Sequence, residues 1–113
     1  MKAYKTFNFD LDTNKMKDLG VYPNGYGAIK VSMEKHKFIH RQESGYLSTV
    51  EYDALDITRI VRAVTKDNPW LKECANVFDV QDVPVNQYSV LDIIKDTKIG
   101  NWKNKGKDDG RGK

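Results

Sequence analysis

An α+β architecture, with four antiparallel strands backed by two helices on one face, is what this sequence predicts. Three observations carry the expectation. Phe7-Asn8-Phe9-Asp10-Leu11-Asp12 alternates strictly between apolar and polar residues, the period of a half-buried strand. Ile57, Ile60, Val61 and Val64 fall at i, i+3, i+4 and i+7, the stripe of an amphipathic helix. Around these two anchors the remaining patterns run in the order strand, helix, strand, strand, helix, strand.

The first strand is expected over residues 3–11, and residues 13–22, polar and carrying Gly20, read as a loop. Pro23 suits the first turn of a helix, where its missing N–H costs nothing. From there Tyr22, Tyr26, Ile29 and Met33 recur at helical spacing, a stripe expected to pack on the sheet, with ligand stacking by Tyr22 or Tyr26 the lesser alternative. Gly25 and Gly27 each weaken that helix by roughly 1 kcal/mol against Ala. Phe38 to Gln42 and Tyr46 to Val50 read as a hairpin around Glu43-Ser44-Gly45, where glycine supplies the freedom a turn or bulge needs. Asp53 is the expected N-cap of the second helix, which should end by Asn68-Pro69 because proline disfavours helical geometry in the preceding residue. Trp70-Leu71 begins a short helical turn. Val77 to Val83 forms the fourth strand with Phe78 and Val80 inward, and Val90, Leu91, Ile93 and Ile94 predict a short C-terminal helix.

That order is the split βαβ arrangement of a ferredoxin-like βαββαβ fold. It is expected to occupy residues 1–97, with residues 98–113 a flexible basic tail whose composition cannot form a core. One sheet face is then left open, and a second copy covering it would make a symmetric homodimer.

At 113 residues the chain is sized for one domain. Its single cysteine, Cys74, cannot make an internal disulfide, and no apolar run reaches membrane-spanning length. After Met1-Lys2 there is no signal-peptide core, so a cytoplasmic protein without membrane partners is expected. A net charge of +3 permits a polyanion contact without requiring one. Basic residues gather in Lys35-His36-Lys37 with His40-Arg41, and again in the tail at Lys98, Lys103, Lys105, Lys107, Arg111 and Lys113. Such clusters serve either as a solvated surface or as a phosphate contact.

The first strand holds the principal chemical signal. With Phe7, Phe9 and Leu11 turned to the core, Asn8, Asp10 and Asp12 share the other face at the strand's exit. Two carboxylates at that position suit acid–base work or metal binding, and are equally what a solvated sheet face contains. No Cys/His spacing suggests zinc, and no glycine-rich loop suggests a nucleotide site.

Taken together, several short motifs resemble the virulence-associated protein D (VapD) family, small relatives of the CRISPR-associated nuclease that forms the central dimer in spacer acquisition. They are Phe9-Asp10-Leu11 at the end of the first strand, Tyr26 and Ile29 in the first helix, Phe38-Ile39-His40-Arg41-Gln42-Glu43-Ser44-Gly45-Tyr46 in the hairpin, and Trp70 after the second helix. They span roughly residues 3–83. The chain departs from the family pattern at Glu43, where the family has glycine, with Gly45 one position late. It departs again at Ala75-Asn76-Val77-Phe78-Asp79, which replaces a basic stretch.

The resemblance implies an endoribonuclease acting as a homodimer, often the toxin of a toxin–antitoxin pair, with RNA and an antitoxin protein as partners. It implies Asp10 as the key residue, either a general base or a ligand for Mg²⁺, with Asp12 beside it. His40 is a further catalytic candidate, since an imidazole titrates near neutrality. Lys37, Arg41, Gln42, Ser44 and Tyr46 are expected to contact phosphate or ribose. The alternative is a non-catalytic nucleic-acid-binding or protein-binding dimer of the same fold.

Overall fold

The alternation of the first strand decides which side chains enter the core. In the computed structural model, which describes residues 1–42, 45–83 and 86–100, β1 (Tyr4–Leu11) buries Phe7, Phe9 and Leu11 and exposes Asn8 and Asp10. It lies at the centre of an open antiparallel sheet, between β3 (Gly45–Ser48) and β4 (Ala75–Val83). β2 (Phe38–Gln42) pairs with β3 on one side. On the other, a short strand that the sequence pattern did not suggest, β5 (Asn86–Ser89), extends the sheet beyond β4. The strand order is β2-β3-β1-β4-β5, and the fold is α+β.

The helices are α1 (Thr13–Asp18), α2 (Asn24–Lys35), α3 (Ala54–Asp67), α4 (Leu71–Cys74) and α5 (Leu91–Asp96). Ile29 and Met33 of α2, the Ile57-Ile60-Val61-Val64 stripe of α3 and Ile94 of α5 join Phe7, Phe9, Phe38, Phe78 and Val80 in one buried cluster. The helices therefore cover a single sheet face. Each fully buried side chain of this size contributes about 1.5–3 kcal/mol relative to exposure. The expected N-cap of α3 is present and doubled. Asp53 accepts the Asp56 N–H at 2.8 Å, and Asp56 accepts the Asp53 N–H at 3.0 Å, a reciprocal capping box.

The expected loop over residues 13–22 is partly helical. Asp12 caps α1 by accepting the Lys15 N–H at 3.0 Å, and Met16 is wholly buried. A six-residue helix has little stability of its own, so the buried Met16 and the packing of Leu19 and Val21 on the core hold it. Gly20, at φ +75°, reverses the chain after it, a conformation open to glycine without strain. Pro23 stands at the N-cap of α2, one position before the first turn where it was expected. Tyr22 leaves the predicted stripe and remains exposed, because it precedes the helix. β3 begins and ends earlier than expected, since beyond Ser48 the chain turns to bond Thr49 to the carbonyl of Lys37.

One polar residue breaks the apolar side of β1. Lys5 is buried, and its ammonium is ion-paired with Asp82, directly opposite on β4. The pair places the ammonium of a buried lysine against a part-buried carboxylate. Among the described residues no helix is long and apolar enough to cross a membrane.

The two glycines of α2 have opposite roles. A Cβ on Gly25 would come within 2.8 Å of the Trp70 ring and 2.9 Å of the Met16 methyl, whereas one on Gly27 would meet nothing within 4 Å. Gly25→Ala should destabilise the protein by about 1–3 kcal/mol through overpacking. Gly27→Ala should stabilise it by up to about 1 kcal/mol through helix propensity. Urea denaturation of the two variants checks both signs.

Candidate functional site

The side of the sheet without helices is built by the same parity that builds the core. On β1 it presents Tyr4, Thr6, Asn8 and Asp10. Pairing brings Leu47 beside Thr6 and Gly45 beside Asn8 on β3, with Ile39 next to Leu47 on β2. On β4 it brings Val83 beside Tyr4, Gln81 beside Thr6, Asp79 beside Asn8 and Val77 beside Asp10. Tyr4, Ile39, Val77 and Val83 are each at least 41% exposed, so this face mixes apolar and polar groups, and among the described residues no helix covers it.

Gly45 contributes no side chain opposite Asn8, and the surface dips there. Thr6, Phe7, Asn8, Arg41, Gly45 and Tyr46 line an open depression of about 260 Å³. Arg41 reaches it because the register of β2 against β3 shifts between His40 and Gln42, an irregularity that re-aims the side chain. On the other side of Asn8, Asp79 lies diagonally across from Asp10, a separation of roughly 7–8 Å in a regular antiparallel pair.

The predicted site residues separate under this geometry. Asp10 is exposed on the open face, one residue before the end of β1. Asp12 is not beside it. The β1–β4 register shifts between Asp10 and Leu11, Asp12 leaves the sheet with its N–H bonded to the Cys74 carbonyl, and its carboxylate caps α1. His40 pairs with Tyr46 on the helix side of the sheet, its ring 4.9 Å from the Tyr46 ring, so the sheet divides it from Asp10. Tyr46 is a core residue, 3% exposed and stacked on Phe9. Lys37 adopts φ +68° in the turn before β2, about 13 Å along the strand from Arg41, and does not join it. Gln42 pairs with Gly45, but its side chain, like Ser44, lies outside the described residues.

Two groups were not connected with Asp10 from sequence, although Tyr26 stood among the motif residues. Asp79 shares its face, which the inward pair Phe78 and Val80 implied by parity; the register against β1 was not legible. Tyr26 is the other. Its hydroxyl is held above the usual phenol range, first by burial, then by Tyr22, Asp10 and Cys74. Cys74 itself is buried, and its thiol is pushed up to about 11 by burial with help from Asp12 and Glu73, so it is inert at neutral pH.

The chain matches no protein-family model and no curated protein. Its chemistry therefore has to be read from the side chains. Among the described residues no group of three or more His, Cys, Asp or Glu side chains could hold a metal. The β1–β4 register places two carboxylates, Asp10 and Asp79, on the open face.

Burial pushes the Tyr46 phenol up to about 12, with a smaller contribution from Glu34. The unfolded chain loses this proton near pH 10 and the native state retains it, so stability is full below pH 10 and falls as pH rises through 12. Tyr46→Phe should reduce the slope of unfolding free energy against pH in that window by about one proton. Denaturant titrations across the window measure it.

Proposed function

We propose that the protein is an RNA-cleaving homodimer of the VapD type, with Asp10 as its key residue. The observation that carries this reading is the exposed carboxylate of Asp10 near the end of the central strand, on the sheet face that no helix covers. Two features of the fold support it. Read from the β4 side, the core order β4-β1-β3-β2 with α2 and α3 in the two crossovers supports a ferredoxin-like reading of the fold, with α1, α4, β5 and α5 as additions. The apolar residues Ile39, Val77 and Val83 on the open face are what a second copy would bury.

Cleavage of a phosphodiester needs a base for the proton of the attacking oxygen and positive charge near the phosphate oxygens. Asp10 supplies the base, or else holds Mg²⁺ together with Asp79; the metal, when bound, would polarise the phosphate and lower the pKa of a bound water. Arg41, on β2, is a cation of the open face, two strand spacings or about 10 Å across the sheet from β1. In a two-fold arrangement centred on β1 and β3, Arg41 of each copy would meet the acidic side of its mate, so the charges of this face are self-complementary.

A second reading has its own support. Asp10 and Asp79 make one side of the face acidic, which repels phosphate, and the surrounding apolar side chains suit a protein surface. On that reading the face binds a protein partner, an antitoxin among the candidates, without catalysis.

The deciding experiment is cleavage of single-stranded RNA by wild type and Asp10→Asn, with and without chelator. The nuclease reading expects Asp10→Asn to lose about 10²–10⁴-fold in rate. It also expects a melting transition within about 0.5 kcal/mol of wild type, as for an exposed surface change. Unchanged cleavage in that variant would overturn the role of Asp10, and the absence of cleavage by wild type would favour the protein-binding alternative. Separately, Ile39→Lys should convert a dimer to monomer in sedimentation equilibrium; a monomeric wild type would sink the dimer.

A further inference from the structure

The connection between α1 and α2 carries a surface that the open-face site does not use. Val21 packs against the core, yet the next residue, Tyr22, is 42% exposed. Its ring is not loose. Tyr26 meets it edge-on, with ring centroids 6.2 Å apart and an interplanar angle of 83°, and the ammonium of Lys17 sits 5.1 Å from its centroid. Both contacts fix an aromatic plane at the surface before any ligand arrives, which lowers the ordering cost of binding.

The charges around it include lysines from two helices as well as the acids Asp10, Asp12 and Asp18. Lys15 and Lys17 lie exposed on either side of the buried Met16 in α1, whose single acid is Asp18. Lys30 follows Tyr26 by four residues on α2, so it lies on the same helix face one turn further on. Cations interleaved with aromatic rings are the device by which proteins hold single-stranded nucleic acid: the rings stack on bases and the ammonium groups meet phosphates.

The surface also lies beside Asp10. Only Asp12 separates β1 from α1, and the phenol of Tyr26, in contact with Tyr22, lies within electrostatic reach of the Asp10 carboxylate.

We propose that Tyr22 and Lys17 form a stacking platform that holds an unpaired base of single-stranded RNA and its phosphate, and leads the strand to Asp10. The direction of the strand rests on the nuclease reading; the platform itself does not. Tyr22 and Lys17 are binding residues here, and Tyr26 is a positioning residue that orients the Tyr22 ring.

The test is fluorescence anisotropy with a labelled oligouridine strand and a matched abasic strand, in an Asp10→Asn background so that the strand stays intact. Tyr22→Ala should weaken oligouridine binding roughly 5- to 150-fold and leave abasic binding unchanged. Tyr22→Phe, which keeps the ring, should bind within about twofold of the parent. Lys17→Ala should lower the slope of log affinity against log salt by about 0.7, one phosphate contact on a single strand. Equal affinity of Tyr22→Ala and parent for oligouridine, equal loss on both strands, or a parent that binds neither would overturn the platform. Cleavage assays separate the two claims. Tyr22-dependent binding without Asp10-dependent cleavage upholds the platform and removes the nuclease reading, whereas Asp10-dependent cleavage with Tyr22-indifferent binding removes the platform alone.

Discussion

The contacts between aromatic rings across the central strand are the constraint on which the rest of this structure depends. Phe7 touches Phe38 and Phe78, with centroids 5.1 and 5.6 Å away, and Phe9 stacks between Phe78 at 5.0 Å and Tyr46 at 6.0 Å. These rings come from four different strands, so they tie β1 to its neighbours on both sides. Aromatic pairs of this kind contribute about 0.5–1.5 kcal/mol each beyond the area they bury. Their larger effect is on register. A one-residue slip of β1 would turn both phenylalanines to water and bury Asn8 and Asp10, so the chain has one acceptable pairing. The exposure of Asp10 follows from the burial of its two aromatic neighbours.

The end of that strand shows how a repeat of side-chain types is cut short by backbone geometry. Asp10 and Asp12 have the same parity in the sequence, but the register shift after Asp10 releases the chain, and Asp12 is taken by the N–H of Lys15. A capping carboxylate satisfies a donor that a helix N-terminus would otherwise leave orphaned. One acid therefore remains on the face and the other becomes structural. Its place near Asp10 falls to Asp79, delivered by β4. The same logic moves His40 away: it alternates with Ile39 and the bulge at Arg41, and an imidazole on the helix side of an edge strand cannot share chemistry with a carboxylate on the open side.

Glycine has two meanings in α2 that composition alone does not separate. Both Gly25 and Gly27 weaken the helix in isolation. In the folded chain Gly25 lets the backbone approach Trp70 and Met16, so α1, α2 and the start of α4 share one junction, while Gly27 has no such neighbour. That junction supports the α1–α2 connection and hence the exposed ring of Tyr22. Residues far apart in the sequence, at 16, 25 and 70, thus set the surface beside Asp10.

What the sequence by itself determined is the set of local choices. The inward face of β1, the stripe and cap of α3, its stop before Pro69, and the inward pair of β4 all follow from periodicities and capping rules that act within a few residues. Tertiary structure alone decided what required two distant segments to meet. It added β5 and α1, which are too short to announce themselves and are held by pairing and packing. It buried Tyr46, paired Lys5 with Asp82, separated His40 and Lys37 from Asp10, and brought Asp79 and Tyr26 near it. The physical reason is that side-chain parity is a local property of a strand, whereas register and bulges are fixed by how rings from different strands pack together.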